Sequence, residues 1–98
     1  MNIYALNNPA SNTELFHTLY QNKNIRIEAI RSHLTHPGEI YNQKEDEWVL
    51  LIRGYAKLLV GERVIELEEG EAIYLPKFTP HQVLSTSEDA LWLGVFNS

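Results

Sequence analysis

The sequence predicts an all-β domain closed into a barrel or a sandwich. Three observations carry that prediction. Short apolar or alternating runs recur from Asn24 to the end of the chain. Glycines and prolines punctuate them at short intervals. No segment keeps a helical period long enough to bury a face. The rival within this class is a Greek-key immunoglobulin-like sandwich. With no cysteine in the chain, the Cys…Trp…Cys spacing that would support it is absent.

The elements follow in order. Asn7 to Glu14 is polar and contains Pro9, and reads as loop. Thr13 is a candidate cap for one short helical turn carrying Leu15, Phe16 and Leu19. Ile25, Ile27 and Ala29 alternate with Arg26, Glu28 and Ile30, the pattern of a half-buried strand, and His36-Pro37-Gly38 breaks it. Trp48-Val49-Leu50-Leu51-Ile52 is continuously apolar, which predicts a strand buried on both faces; Gly54 ends it. Tyr55 to Val60 and Arg63 to Leu67 form a hairpin about Gly61-Glu62. Glu69-Gly70-Glu71 is the next turn, Ala72 to Leu75 a strand closed by Pro76, and Gln82 to Leu84 and Ala90 to Phe96 the last two strands. Gly61 and Gly70 fall where a hairpin needs positive φ. Seven or eight strands result.

Composition narrows the function classes. The 98 residues are expected to form one domain, with a barrel over about residues 25–97 and an N-terminal loop, strand or short helix over 1–24. No apolar run is long enough to span a bilayer, and the first residues lack the basic and apolar regions of a signal peptide. A cytoplasmic location without membrane contact is therefore expected. The formal net charge is −5, with acidic residues gathered at Glu45-Asp46-Glu47 and from Glu66 to Glu71. Such a chain, with no basic stripe, is a poor nucleic-acid binder, because neutralising phosphates dominates that affinity. The acidic groups read as solvated turns, with Glu47 set apart. The lack of cysteine also excludes disulfides, thiolate zinc sites and thiol nucleophiles.

Two segments carry a resemblance. In the first, Glu47 precedes Gly54 by seven positions; in the second, Gly70, Pro76 and His81 are separated by six and five. These spacings resemble the two sequence motifs of the cupin family. The resemblance covers about Gly38 to His81 and implies a jelly-roll barrel, the double-stranded β-helix, with the motif side chains meeting at one mouth. In an ordinary cupin the matching positions carry three histidines and a glutamate around a divalent metal. Here Tyr41 and Gln43 stand at the two histidine positions of the first motif, Phe78 replaces the glycine two after Pro76, and Ser85 replaces an asparagine after the second motif.

Residues two apart on a strand share a face, so Tyr41, Gln43 and Glu47 are expected to point inward together, with His81 approaching from a neighbouring strand. This set is the candidate metal site, for zinc, manganese, nickel or iron, or for no metal at all. One imidazole among oxygen donors holds soft transition metals less firmly and leans toward oxygen-preferring ions. Glu47 and His81 are the acid–base candidates, with Tyr41 as a donor. An internal Glu47–His81 pair that is purely structural is equally compatible with the sequence. His17, His33 and His36 read as surface or turn residues, although His36 lies close enough before Tyr41 to reach the mouth as a pocket residue. Three functions remain open: a module binding a divalent ion or small polar metabolite, a metal-dependent isomerase, decarboxylase or dioxygenase, and a degenerate domain acting only as a dimer. The resemblance also implies a homodimer paired through a sheet. It implies no substrate.

Overall fold

The computed structural model describes residues 1–98. Nine antiparallel strands follow a 3-10 turn at Ile3–Ala5: β1 (Thr13–Gln21), β2 (Ile25–His33), β3 (Ile40–Tyr41), β4 (Asp46–Arg53), β5 (Ala56–Val60), β6 (Arg63–Leu67), β7 (Ala72–Leu75), β8 (His81–Thr86) and β9 (Ala90–Asn97). They form two facing sheets, a five-stranded one in the order β1-β2-β9-β4-β7 and a four-stranded one in the order β3-β8-β5-β6. Non-sequential neighbours in both sheets are the mark of a jelly roll. No helix is long and apolar enough to cross a membrane.

Local chemistry sets each turn. The Asn22 side chain accepts hydrogen bonds from the backbone N–H groups of Asn24 and Ile25 at 2.8 and 2.9 Å, closing the β1–β2 hairpin. Val60 pairs with Arg63 around Gly61-Glu62, and β7 ends at Leu75, just before Pro76. Gly54, Gly61 and Gly70 all have positive φ. Between the sheets, Ile30, Val49, Leu51, Ala56, Leu58, Leu67, Ala90 and Trp92 form the buried apolar cluster.

Two expectations are corrected. The segment from Thr13 is a strand, not a helical turn; the single helical turn lies earlier, at Ile3–Ala5. Asn12, at φ 63°, turns the chain, and β1 then pairs with β2 from Thr13↔His33 to Gln21↔Arg26. That ladder gives the backbone partners on both sides of a single irregularity between Thr18 and Tyr20, whereas one isolated helical turn leaves most of its backbone groups unpaired. The β4 run, in turn, is covered on one face only. Glu47, Val49 and Leu51 point inward and are buried, while Trp48 on the outer face is 40% exposed. The apolar character of both faces exceeds what this chain alone covers.

The N-terminal segment crosses the outside of the larger sheet. Buried Arg31 donates from its guanidinium to the carbonyls of Tyr4, Leu6 and Asp89 at 3.3–3.4 Å. The Arg53 guanidinium lies over the Tyr4 ring, 4.8 Å from its centroid.

A β-carbon at Gly54 would lie 2.3 Å from Ser87 Oγ and 3.0 Å from Ala90 Cα, whereas one at Gly70 would meet nothing within 4 Å. Gly70→Ala is expected to cost about 1 kcal/mol, from its φ alone, and Gly54→Ala at least about twice that, from φ and collision together. Urea melts of the two variants measure the difference.

Candidate functional site

The strand period places an unusual set of side chains inside the barrel. On β2 the inward residues are Arg26, Glu28, Ile30 and Ser32; on β1 they include Glu14 and Phe16. Together with Tyr41, Gln43, Glu47, Val49, Leu58, Leu75, His81, Val83, Trp92 and Phe96, they line an open-mouthed cavity of about 260 Å³.

Tyr41, Gln43, Glu47 and His81 meet there. β3 pairs with β8 so that Tyr41 lies opposite His81, and their rings stack with centroids 5.7 Å apart. Gln43 Nε2 donates to Glu47 Oε1 at 3.0 Å, and His81 Nε2 lies 3.5 Å from the same oxygen. The other ring nitrogen, Nδ1, is 3.0 Å from the carbonyl of Thr79, which can only accept, so Nδ1 carries a hydrogen. Burial by itself lowers the His81 pKa; the Glu47 hydrogen bond, the Thr79 carbonyl and the Glu47 charge outweigh it, and the net shift is upward from 6.5. Burial raises the Tyr41 phenol, and Glu14, Glu39 and Glu47 raise it further, which keeps it a donor.

A backbone latch holds the mouth together. The Phe78 N–H donates to the Gln43 carbonyl at 2.8 Å, and the Lys77 N–H to Asp46 Oδ1 at 2.9 Å. Phe78 sits at φ 60°, the left-handed region that glycine enters freely and a bulky residue enters at a cost. It stands where the cupin motif has glycine.

His36 does not reach the cavity, which corrects that expectation. Its backbone N–H donates to Asn12 Oδ1 at 3.2 Å, as the Thr35 N–H does at 2.9 Å, and its ring is exposed on that turn. Sequence reasoning missed Glu14, Arg26 and Glu28. The Arg26 guanidinium forks onto both oxygens of Glu45 at 2.9 and 3.1 Å, donates from Nε to Glu28 at 3.0 Å, and lies over the Phe96 ring, 4.3 Å from its centroid. Glu14 accepts from Ser32 Oγ at 2.6 Å, and Ser32 Oγ accepts from Trp92 Nε1 at 3.1 Å. Burial raises the Glu14 pKa above 4.5; the Ser32 bond opposes that, and the charges of Glu39 and Glu47 add to it. The one signal for Arg26 and Glu28 was the alternation of β2, once its charged face is read as the inner one.

The sequence profile of the cupin domain family matches residues 28–96. The chain belongs to the cupin family. Among solved structures, this cupin is similar to a candidate mannose-6-phosphate isomerase from Ralstonia eutropha JMP134, with 24% identity, TM-score 0.86, and coverage of 100% of this chain and 96% of that one. It is also similar to KdgF from Halomonas sp., with 14% identity, TM-score 0.78, and coverage of 86% and 77%. A cupin superfamily protein from Desulfitobacterium hafniense DCB-2 matches with 14% identity, TM-score 0.79, and coverage of 99% and 87%. At these identities the likeness is one of fold. No curated protein matches the sequence.

The donor set of this cupin does not fit the metal centre that the family's motifs imply. No three of its histidine, aspartate and glutamate side chains converge on a common point. Gln43 turns its amide N–H, not its oxygen, toward Glu47, and Glu47 Oε1 already faces both Gln43 and His81. Gln43 and His81 instead gather on the Glu47 carboxylate, and the Tyr41 ring stacks on His81.

Because the folded His81 pKa lies above the unfolded value near 6.5, its stabilising contribution is complete below that value and is lost as pH rises through the folded pKa. By NMR, His81 is expected to titrate above 6.5. Glu47→Gln should lower that midpoint, since burial then dominates, and should flatten the fall in thermal midpoint across the same pH window.

Proposed function

We propose that this cupin is a binding module for a small polar metabolite, held in the barrel mouth by Tyr41, Gln43, Glu47 and His81. The observation that carries this reading is a cavity of about 260 Å³ with apolar walls and a few convergent polar groups. That is the usual build of a ligand pocket, and its size, just under the roughly 300–1,000 Å³ of drug-sized sites, suits a small metabolite. A metal-dependent isomerase, decarboxylase or dioxygenase would need ligands that these residues do not assemble. An acid–base role for Glu47 and His81, with Tyr41 as donor, stays available to a bound substrate without any such ion.

The two tryptophans provide an internal control. Trp92 lines the cavity and Trp48 lies on the outer face. In a screen of small polar fragments, binders should shift the Trp92 indole N–H resonance and leave that of Trp48 in place. Glu47→Gln and His81→Ala should lose those shifts while still melting cooperatively. Variants that bind undiminished, or that merely unfold, would favour a structural pair. Chelation and dialysis should leave the thermal midpoint unchanged, and metal analysis of the purified chain should find less than about 0.1 equivalent, the level of adventitious ions. A stoichiometric metal lost together with several degrees of stability would restore the metal-centre reading.

The homodimer belongs to the same proposal. On the outer face of the larger sheet, the register aligns Tyr20, Ile27, Val95, Trp48 and Tyr74 in one row and His17, Ala29, Leu93, Leu50 and Ala72 in the next. Neither row contains a carboxylate, so two copies of a chain carrying −5 can meet there without opposing like charges. Sedimentation should give a dimer at micromolar concentration, and Trp48→Glu with Tyr74→Glu should give a monomer with an unchanged fold. A native chain that sediments only as monomer would remove the second copy.

A further inference from the structure

Charge matching inside the cavity leaves one group over. Its lining includes three carboxylates, Glu14, Glu28 and Glu47, with one guanidinium, Arg26, and one imidazole, His81. Arg26 is taken by Glu28 and by Glu45, and His81 by Glu47. Glu14 has no cation within ion-pair distance; its one hydrogen bond comes from the Ser32 hydroxyl. A half-buried carboxylate held this way lacks a positive partner, and leaving it unpaired is costly.

A bare metal ion does not supply that partner, because no third acidic or imidazole group converges with Glu14 and its neighbours. A cation carried on an organic frame does. The walls offer Phe16, two residues along β1 from Glu14 and facing the same cavity, together with Trp92 and Tyr41. Aromatic faces attract ammonium groups, and the same cavity already seats one cation in that way, Arg26 over Phe96. We infer that the cavity selects a small organic cation, a primary or substituted amine, whose ammonium group pairs with Glu14 beside these rings. This inference rests on the ligand-pocket reading and names the chemical class of its occupant.

Three probes of similar shape test it on the full 98-residue chain: n-butylammonium, n-butanol and butyrate, each followed through the Trp92 indole N–H resonance with Trp48 as control. Butylammonium should bind at least about tenfold more tightly than butanol, and butyrate more weakly than either. Glu14→Gln should bring butylammonium to within about threefold of butanol. If that variant does not fold, Glu14→Asp, which keeps the charge, must keep the wild-type ranking. Butanol matching butylammonium, or butyrate binding best, would overturn the ligand class and leave the pocket reading standing. An unmoved Trp92 resonance with all three probes, up to about 50 mM, would overturn both.

Discussion

Glu47 enters the barrel at the start of β4, and its carboxylate oxygen collects the Gln43 amide and faces the His81 imidazole. Burying a carboxylate is expensive unless donors surround it, and much of the mouth is arranged to provide them. The β3–β4 link must bring Gln43 within 3.0 Å, and β8 must begin at His81 so that its ring reaches inward. The loop from Pro76 to Pro80 is then bound in place by the Phe78 and Lys77 backbone N–H groups. That latch accepts a left-handed phenylalanine, a strain of order 1 kcal/mol, in exchange for a fixed approach of His81. The polar mouth and the apolar interior are consequences of one inward-facing row on β4, in which Glu47 is followed by Val49 and Leu51.

Much of this architecture was legible from punctuation. Gly61, Gly70 and Pro76 mark turns and strand ends that the structure places at the same residues, and Glu47 with His81 followed from motif spacing. What escaped had physical causes. Leu15, Phe16 and Leu19 are spaced like a helical face, but β1 splits them: Phe16 lines the cavity, and Leu15 lies on the outer side opposite Arg31. Nothing local in the segment announces that β2 will supply its hydrogen-bond partners. On β2 the apolar residues Ile25 and Ile27 look outward while Arg26 and Glu28 look in, the reverse of the usual alternation. A sequence in which both faces carry polar and apolar residues does not state which face is inner. Only the ion pairs with Glu45 and the cation–π contact with Phe96 make the inverted choice affordable.

The continuous apolar run of β4 follows the same logic from the opposite direction. Its length and β-branched content pointed to burial on both faces, yet the four-stranded sheet covers only the side of Val49 and Leu51. The chain therefore carries on its outside the composition of an interior. The cavity and the proposed surface of contact between copies lie on opposite faces of the same strands, β2, β4 and β9. A displacement of these strands on filling the cavity would be felt directly on the other side.

The Arg31 clamp divides the molecule by its response to pH. Its three acceptors are main-chain carbonyls, and neither a guanidinium nor a carbonyl changes charge across the range in which proteins are handled. The N-terminal strap therefore has no proton-dependent fastening. The opposite holds for the rim, where the His81 imidazole, which titrates, faces the Glu47 carboxylate. A rise in pH through the His81 transition thus loosens this protein from the cavity end, with Tyr4 and Leu6 still tethered to the sheet.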